Sequence, residues 1–405
     1  MAVNLTAKTA EQLPPVEGVQ LYTAKAGIKQ PGRDDLTLMV LSPGSTVGAV
    51  FTRNRFCAAP VQVAAKHLFG ADGVRALVVN TGNANAGTGE AGYEHALQMC
   101  RAAAKQVGCT AEQVLPFSTG VIFEPLPIAK IQAALPKAAP ANWADAARAI
   151  MTTDTVPKAA ARSGQIGNRH TVSAVGIAKG SGMICPNMAT TLGFIATDAR
   201  VAQPVLQQLA EEAADASFNC ISVDGDTSTN DSFVIIATGK SGQNEIDNIA
   251  DPRYAQLRSL LTDLALELAQ AVVRDGEGAT KFVTVKISGA ADREDARKAA
   301  YAVANSPLVK TALAASDPNL GRILAALGYS GAEFDMNAVK LYISGLLVAE
   351  KGGRAEGYTE ESGLLAMHPP EITIHADLGA GQAEAVVYTC DLTREYVAIN
   401  ADYRS

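Results

Sequence analysis

Aromatic residues are scarce in this chain of 405 residues: one Trp, ten Tyr and ten Phe make up 5%. Its core must therefore rest on Ala, Val, Leu and Ile. No block of Lys and Arg stands out, so nothing favours nucleic acid as a partner, and the net charge of −7 reads as ordinary solubility. Six cysteines, at positions 57, 100, 109, 185, 220 and 390, form no C-x-x-C pair. Five scattered histidines complete no cluster with zinc-site spacing, so no metal is expected. The cysteines read as reduced thiols. The first twenty residues lack an apolar signal core, and the longest apolar runs, such as Ala265 to Val273, fall short of a membrane span. A cytoplasmic protein without membrane partners is the expectation.

Apolar residues make up 48% and charged residues 19%, a globular composition. The length implies two domains or two intimately packed halves. Ala76 to Asn80 reads as a buried strand entering a Gly/Asn loop, and Tyr93 to Val107 as a helix closed by Gly108. Asn142 to Thr152 reads as a helix with Asn142 as cap. Gln203–Ala214 and Pro252–Val273 are long helical stretches. Asp231–Thr238 and Lys281–Ser288 read as strands, and the tail from Glu371 to Tyr396 as a strand pair turning at Leu378–Gly381. The Pro/Ala-rich stretch Leu135–Asn142 reads as a surface connection. Helices and strands interleave throughout, so the class is α/β (mixed α+β), with buried sheets covered by helices.

The most unusual segment is Lys179-Gly-Ser-Gly-Met-Ile-Cys-Pro-Asn-Met-Ala-Thr-Thr-Leu192, set between strand-like runs at Thr171–Ala178 and Leu192–Ala196. Its glycines allow close backbone approach, and Pro186 then stiffens the chain. The Walker spacing and the G-x-S-x-G elbow are both absent, which excludes those phosphate and hydrolase motifs here. Asp224, Asp226 and Asp231 loosely suggest a cation loop, but without EF-hand spacing they are assigned to turn structure.

The segment closely resembles the ornithine acetyltransferase signature KGSGMIxPNMATxL. Further matches follow in order. They are Val79–Asn85, Pro116–Gly120, Ile150–Thr155, Ile221–Asp231, Asp275–Lys281, Asp317–Leu324 and Ile399–Ser405. Thr191 stands where Met is more usual, and Leu320 where Trp is common. The resemblance implies an N-terminal-nucleophile-like layered architecture and autocatalytic cleavage between Ala189 and Thr190. The products would be residues 1–189 and 190–405, two chains that assemble as a heterotetramer of two of each. It implies an acetyl transfer from N-acetylornithine to glutamate in arginine biosynthesis, by a ping-pong route through acetyl-Thr190. It implies no cofactor, although acetyl-CoA is a candidate second donor.

A cut before Thr190 suits the chemistry. A threonine hydroxyl is a poor nucleophile without a base. Cleavage would place a free α-amine beside it, with a pKa of about 7.7–8.0 against about 10.4 for lysine. By resemblance, Thr119 and Gly120 supply an oxyanion hole. Lys179 would hold a substrate carboxylate, Glu277 would meet an ammonium or take a proton, and Asn400 and Ser405 would contact substrate. One of Thr152 and Thr153 adds another contact, with Thr152 favoured. Read without the resemblance, Ser118–Gly120 is a strand-end turn, Lys179 and Glu277 are solvated surface, and Asn400–Ser405 is a frayed tail. Two other functions compete: an N-terminal-nucleophile amidohydrolase or aminopeptidase with water as acceptor, and a non-enzymatic assembly module.

Overall fold

The fold comes from a computed structural model and is described for residues 2–70, 72–167, 170–185 and 191–402. Three sheets carry it. The first runs in the order Val114–Val121, Ala76–Asn83, Leu36–Leu41, Val19–Ala24, Ala139–Ala141. The second runs Thr46–Phe51, Ser232–Ala237, Leu192–Thr197, His170–Lys179, Lys158–Ile166. Each contains one parallel pair among antiparallel ones: Ala76–Asn83 with Val114–Val121, and Leu192–Thr197 with Ser232–Ala237.

These two sheets pack face to face. Leu77, Val79, Leu115 and Phe117 of the first meet Val175, Ile177, Phe194 and Ile236 of the second. Phe117 and Phe194 touch edge to face at 5.1 Å between centroids, one of few aromatic pairs in a core otherwise built from aliphatics. The alternate residues, Ala76 and Val78, and Ile195 and Ile235, point outward under helices. Helices Gly89–Val107 and Ile128–Ala134 cover the first sheet, and Gln203–Ala216 and Pro252–Arg274 the second. Strands buried on both faces need apolar residues at every position, which is why Ala76–Val79 and Phe233–Ala237 read as unbroken apolar runs. The result is the expected mixed α/β layering, helix on sheet on sheet on helix.

A third sheet, with its own core, accompanies the sandwich. Its order is Gly353–Arg354, Leu346–Glu350, Lys340–Ile343, Glu371–Asp377, Phe282–Ala290, Ala383–Cys390. Helices Arg293–Asn305, Pro307–Ala314 and Leu320–Gly328 pack on it.

Three sequence expectations change. The tail strands Glu371–Asp377 and Ala383–Cys390 are not neighbours, because Phe282–Ala290 lies between them. The turn at Leu378–Gly381 spans that strand's end: Leu378 N donates to Ser288 O, and Ala380 N to Gly289 O. The helix after Asn142 covers only Trp143–Ala149, with Asn142 Oδ1 accepting from Asp145 N at 3.0 Å. Residues 151–157 instead form bends and loop leading into Lys158–Ile166. The stretch at Leu135–Asn142 is more than a connection, since Ala139–Ala141 forms an edge strand on Val19–Ala24, where Pro140 needs no amide donor. Among the described residues no helix is long and apolar enough to cross a membrane, and all six cysteines are free thiols.

Candidate active site

One end of the sandwich holds a cavity of about 150 Å³. The carboxyl ends of Val114–Val121 and His170–Lys179 meet there with the residues that lead into Leu192–Thr197 and Ser232–Ala237. Thr119, Gly120, Thr152, Lys179, Glu277 and Asn400 all line it, together with Thr153, Thr191 and Asp231. Residues up to 281 positions apart thus converge on one space. Ala189, Thr190 and Ser405 lie outside the described residues.

Thr119 and Lys179 face each other across the two sheets. Lys179 is 9% exposed and donates from Nζ to Thr119 Oγ1 at 3.1 Å. Burial depresses its pKa, against the attraction of Asp154, Asp231 and Glu277. The strand end before Thr119 is held by amides and a hydroxyl. Ser118 Oγ donates to Asn80 Oδ1 at 2.6 Å, and Asn230 Nδ2 donates to Ser118 O at 2.9 Å and Ala84 O at 2.6 Å. Gly120 sits at φ +133°, and a Cβ there would come within 2.5 Å of Asn83 N. Backbone is the obstacle, so only glycine fits.

Below this wall lies a buried ionic group that the sequence did not reveal. Lys158 Nζ reaches Asp154 Oδ1 at 2.5 Å and Asp275 Oδ2 at 2.7 Å, with all three side chains at most 1% exposed. Asp154 also accepts the Gly180 N–H at 2.7 Å and the Thr152 N–H at 2.9 Å. Burial would raise its carboxyl, but Lys158, Lys179 and the Gly180 amide hold it well below the usual range. Asp275 takes the amides of Thr155 and Val156. The group ties the 152–156 segment to the start of the Lys179–Leu192 loop and to the loop carrying Glu277. Asp154 and Asp275 fall inside segments that matched the family, but sequence spacing carried no sign of their partner Lys158.

Glu277 is 8% exposed and not solvated surface. Its Oε2 accepts from Asn400 Nδ2 at 2.7 Å. Gly182 leaves room for this carboxylate: a Cβ there would lie 2.6 Å from Glu277 Cδ. The carboxyl-terminal helix, Arg394–Ala401, is docked rather than frayed. Thr393 Oγ1 donates to Gly278 O at 2.8 Å, and Tyr396 Oη to Asp224 Oδ2 at 3.2 Å. Asp224 in turn takes the amides of Met183 and Ile184 at 2.6 and 2.9 Å, in keeping with its reading as turn structure. Thr153 Oγ1 and Ser181 Oγ are 2.6 Å apart. Among the described residues no group of three or more His, Cys, Asp or Glu side chains gathers as a metal site would require.

Hydroxyl and amide donors, one buried cation and buried carboxylates line the cavity, groups that acyl transfer can use. Comparison with known proteins agrees. The model of the ArgJ family matches residues 20–405. The chain belongs to the ArgJ family. It is 69% identical over 406 positions to the arginine biosynthesis bifunctional protein ArgJ of Neisseria meningitidis, with all of both chains covered. It is 68% identical to the protein of that name from Neisseria gonorrhoeae, again over full length. A crystal structure of arginine biosynthesis bifunctional protein argJ from Bacillus halodurans is 35% identical; the match covers 51% of this chain and 96% of that one, with a TM-score of 0.49. ArgJ membership makes the protein an acyltransferase of arginine biosynthesis.

Proposed function

We propose that the protein moves acetyl from N-acetylornithine to glutamate, giving ornithine and N-acetylglutamate, with Thr190 as nucleophile after a cut between Ala189 and Thr190. The observation that carries this reading is the meeting of Thr119, Gly120, Lys179, Glu277 and Asn400 around one cavity whose wall includes Thr191, the residue next to Thr190. A route follows from it. The Thr190 α-amine takes the proton of its own hydroxyl, and the oxygen attacks the acetyl carbonyl. The tetrahedral oxyanion receives the Thr119 O–H and the Gly120 N–H. Because Lys179 already donates to Thr119 Oγ1, the hydroxyl proton is left to point at that oxyanion. Collapse expels ornithine, whose α-nitrogen takes the proton, and leaves acetyl-Thr190. Glutamate then reverses the sequence. Lys179 has two more N–H groups for a substrate carboxylate, and Glu277, held by Asn400, meets the ornithine ammonium. Thr152 is the favoured substrate contact, since the Thr153 hydroxyl is already paired with Ser181. Ser405 completes the set by resemblance.

The cut would not separate the products. Leu192–Thr197, from the second product, lies hydrogen-bonded between Ser232–Ala237 and His170–Lys179, the latter from the first. A heterotetramer of two copies of each chain, in the cytoplasm and without a cofactor, completes the reading. The Neisseria relatives are named bifunctional, and on that basis acetyl-CoA is taken as a second acetyl donor. Incubation with N-acetylornithine alone, followed by peptide mass spectrometry, tests the route. Acetyl on Thr190 that is discharged by glutamate supports it. Discharge by water at an equal rate would make the protein an amidohydrolase, and acetyl elsewhere would remove Thr190 as nucleophile.

A further inference from the structure

Three ionisable side chains line the cavity among the described residues: Lys179, Glu277 and Asp231. The first two have tasks in the route above, and Asp231 has none. It is 1% exposed. Its Oδ1 accepts the Thr191 N–H at 2.8 Å, while the next residue, Ser232, donates its own N–H to Thr191 O at 2.9 Å. Thr191 is thus held from both sides at φ 113°, a conformation a β-branched residue takes only when its surroundings impose it. Asp231 Oδ2 has no hydrogen-bond partner among the described residues, which is costly for a buried carboxyl. Burial pushes this carboxyl up to about 8, and the Thr191 N–H, the neighbouring Ser228 and the Lys179 charge offset it only in part.

Covalent geometry sets what lies within reach. The nitrogen of Thr190 is three bonds from that of Thr191, so the two are roughly 3–3.6 Å apart. With Asp231 Oδ1 2.8 Å from the Thr191 nitrogen, covalent geometry alone keeps the Thr190 nitrogen within roughly 6.4 Å of that oxygen. We propose that Asp231 is a positioning residue for the nucleophile, fixing the amide after Thr190 through Oδ1 and accepting a hydrogen bond from the Thr190 α-ammonium on Oδ2 once the preceding bond is cut. The inference rests on the cleavage reading. Before the cut that nitrogen is an uncharged amide with a single N–H. Afterwards it carries a titratable proton that an ionised carboxylate stabilises, and the orphan oxygen gains its donor. The paired amine is oriented and more basic than a solitary one.

The other titratable groups facing Asp231 are Lys179 at the end of its strand, Glu277 across the cavity, and Cys57 ahead of helix Ala59–Gly70. Burial, then Asp231 itself, pushes the Cys57 thiol up. Glu277 is engaged by Asn400, and Lys179 repels a second cation. Without Asp231 the amine should therefore lose its proton more easily.

The test titrates the Thr190 α-amine by pH-dependent labelling with a small anhydride, read by mass spectrometry of the amino-terminal peptide. It compares wild type with Asp231→Asn, which keeps an acceptor for the Thr191 amide. The wild-type midpoint should lie above the ordinary α-amino range of about 7.7–8.0. In Asp231→Asn it should fall by about one pH unit or more, taking the acidic limb of kcat/KM with it. Equal midpoints overturn the proposal, because a merely structural clamp would leave the amine's titration unmoved. Should the Asn variant fail to fold or cut, the wild-type midpoint decides alone, and a value in or below the ordinary range overturns the proposal. A wild type uncut before Thr190 removes the cleavage reading and this inference together, whereas a cut wild type with an ordinary midpoint removes only this one.

Discussion

Gly182→Ala isolates the Glu277 carboxylate without touching a charged residue. A Cβ at position 182 would lie 2.6 Å from Glu277 Cδ and 2.7 Å from Oε1, closer than real Cβ atoms come. The obstacle is the end of a flexible side chain, so the carboxylate moves and the backbone stays. The overpacking cost should sit near the low end of about 1–3 kcal/mol, too little to unfold the chain. The displaced carboxylate loses its 2.7 Å bond from Asn400 and its place on the cavity wall. A hydrogen bond to a charged group is worth about 1.5–3 kcal/mol, so kcat/KM for acetyl transfer should fall roughly 10- to 150-fold. Steady-state rates with N-acetylornithine and glutamate, alongside a thermal melt, read both terms. Adding Glu277→Asp to Gly182→Ala withdraws the carboxylate from the added methyl and should restore part of the rate. Full activity in Gly182→Ala, or a loss matched by unfolding, would refute the placement of Glu277 in the reaction.

Other outcomes follow from the same geometry. Thr119→Val removes one donor of the proposed oxyanion hole and should lower kcat by about 10²–10³ with little change in the melt, as measured by single-turnover kinetics. Lys158→Met strands the Asp154 and Asp275 carboxylates in the interior and should destabilise the fold by about 3–5 kcal/mol, read by urea unfolding. In Thr190→Ala, which stays whole on the proposed route, Asp231 holds its proton more tightly folded than unfolded. Its contribution to stability should therefore fall as pH rises from about 4 to about 8. Asp231→Asn in that background should flatten the slope, as denaturation at several pH values will show. Asp154 works in the opposite sense: its depressed carboxyl adds stability above about pH 4 that is lost only on further acidification.

Local chemistry wrote the helices and inner strands plainly into the sequence. Asn142 caps a helix through Asp145 N, Gly108 closes another, and Phe233–Ala237 is apolar throughout because both its faces are covered. Pairing was hidden where it depends on distant chain. Nothing near Glu371–Cys390 announces that Phe282–Ala290 lies between the two tail strands. The site divides in the same way. Thr119, Gly120, Lys179, Glu277 and Asn400 were named through motifs, and they share one cavity. Composition alone would have left Lys179 and Glu277 on the surface, since charged side chains are rarely buried unless paired, and their partners lie 60 and 123 residues away. Asp231 read as one carboxylate in a polar turn; its unpartnered oxygen and its hold on Thr191 exist only in three dimensions.

The central claim is that Thr190 cuts the chain and then serves as nucleophile. Intact masses of wild type and Thr190→Ala, recorded under denaturing conditions, test it most directly. The account predicts two wild-type fragments, the second beginning at Thr190, and a whole mutant chain. A wild type that stays in one piece, or a mutant cut at the same bond, would contradict it.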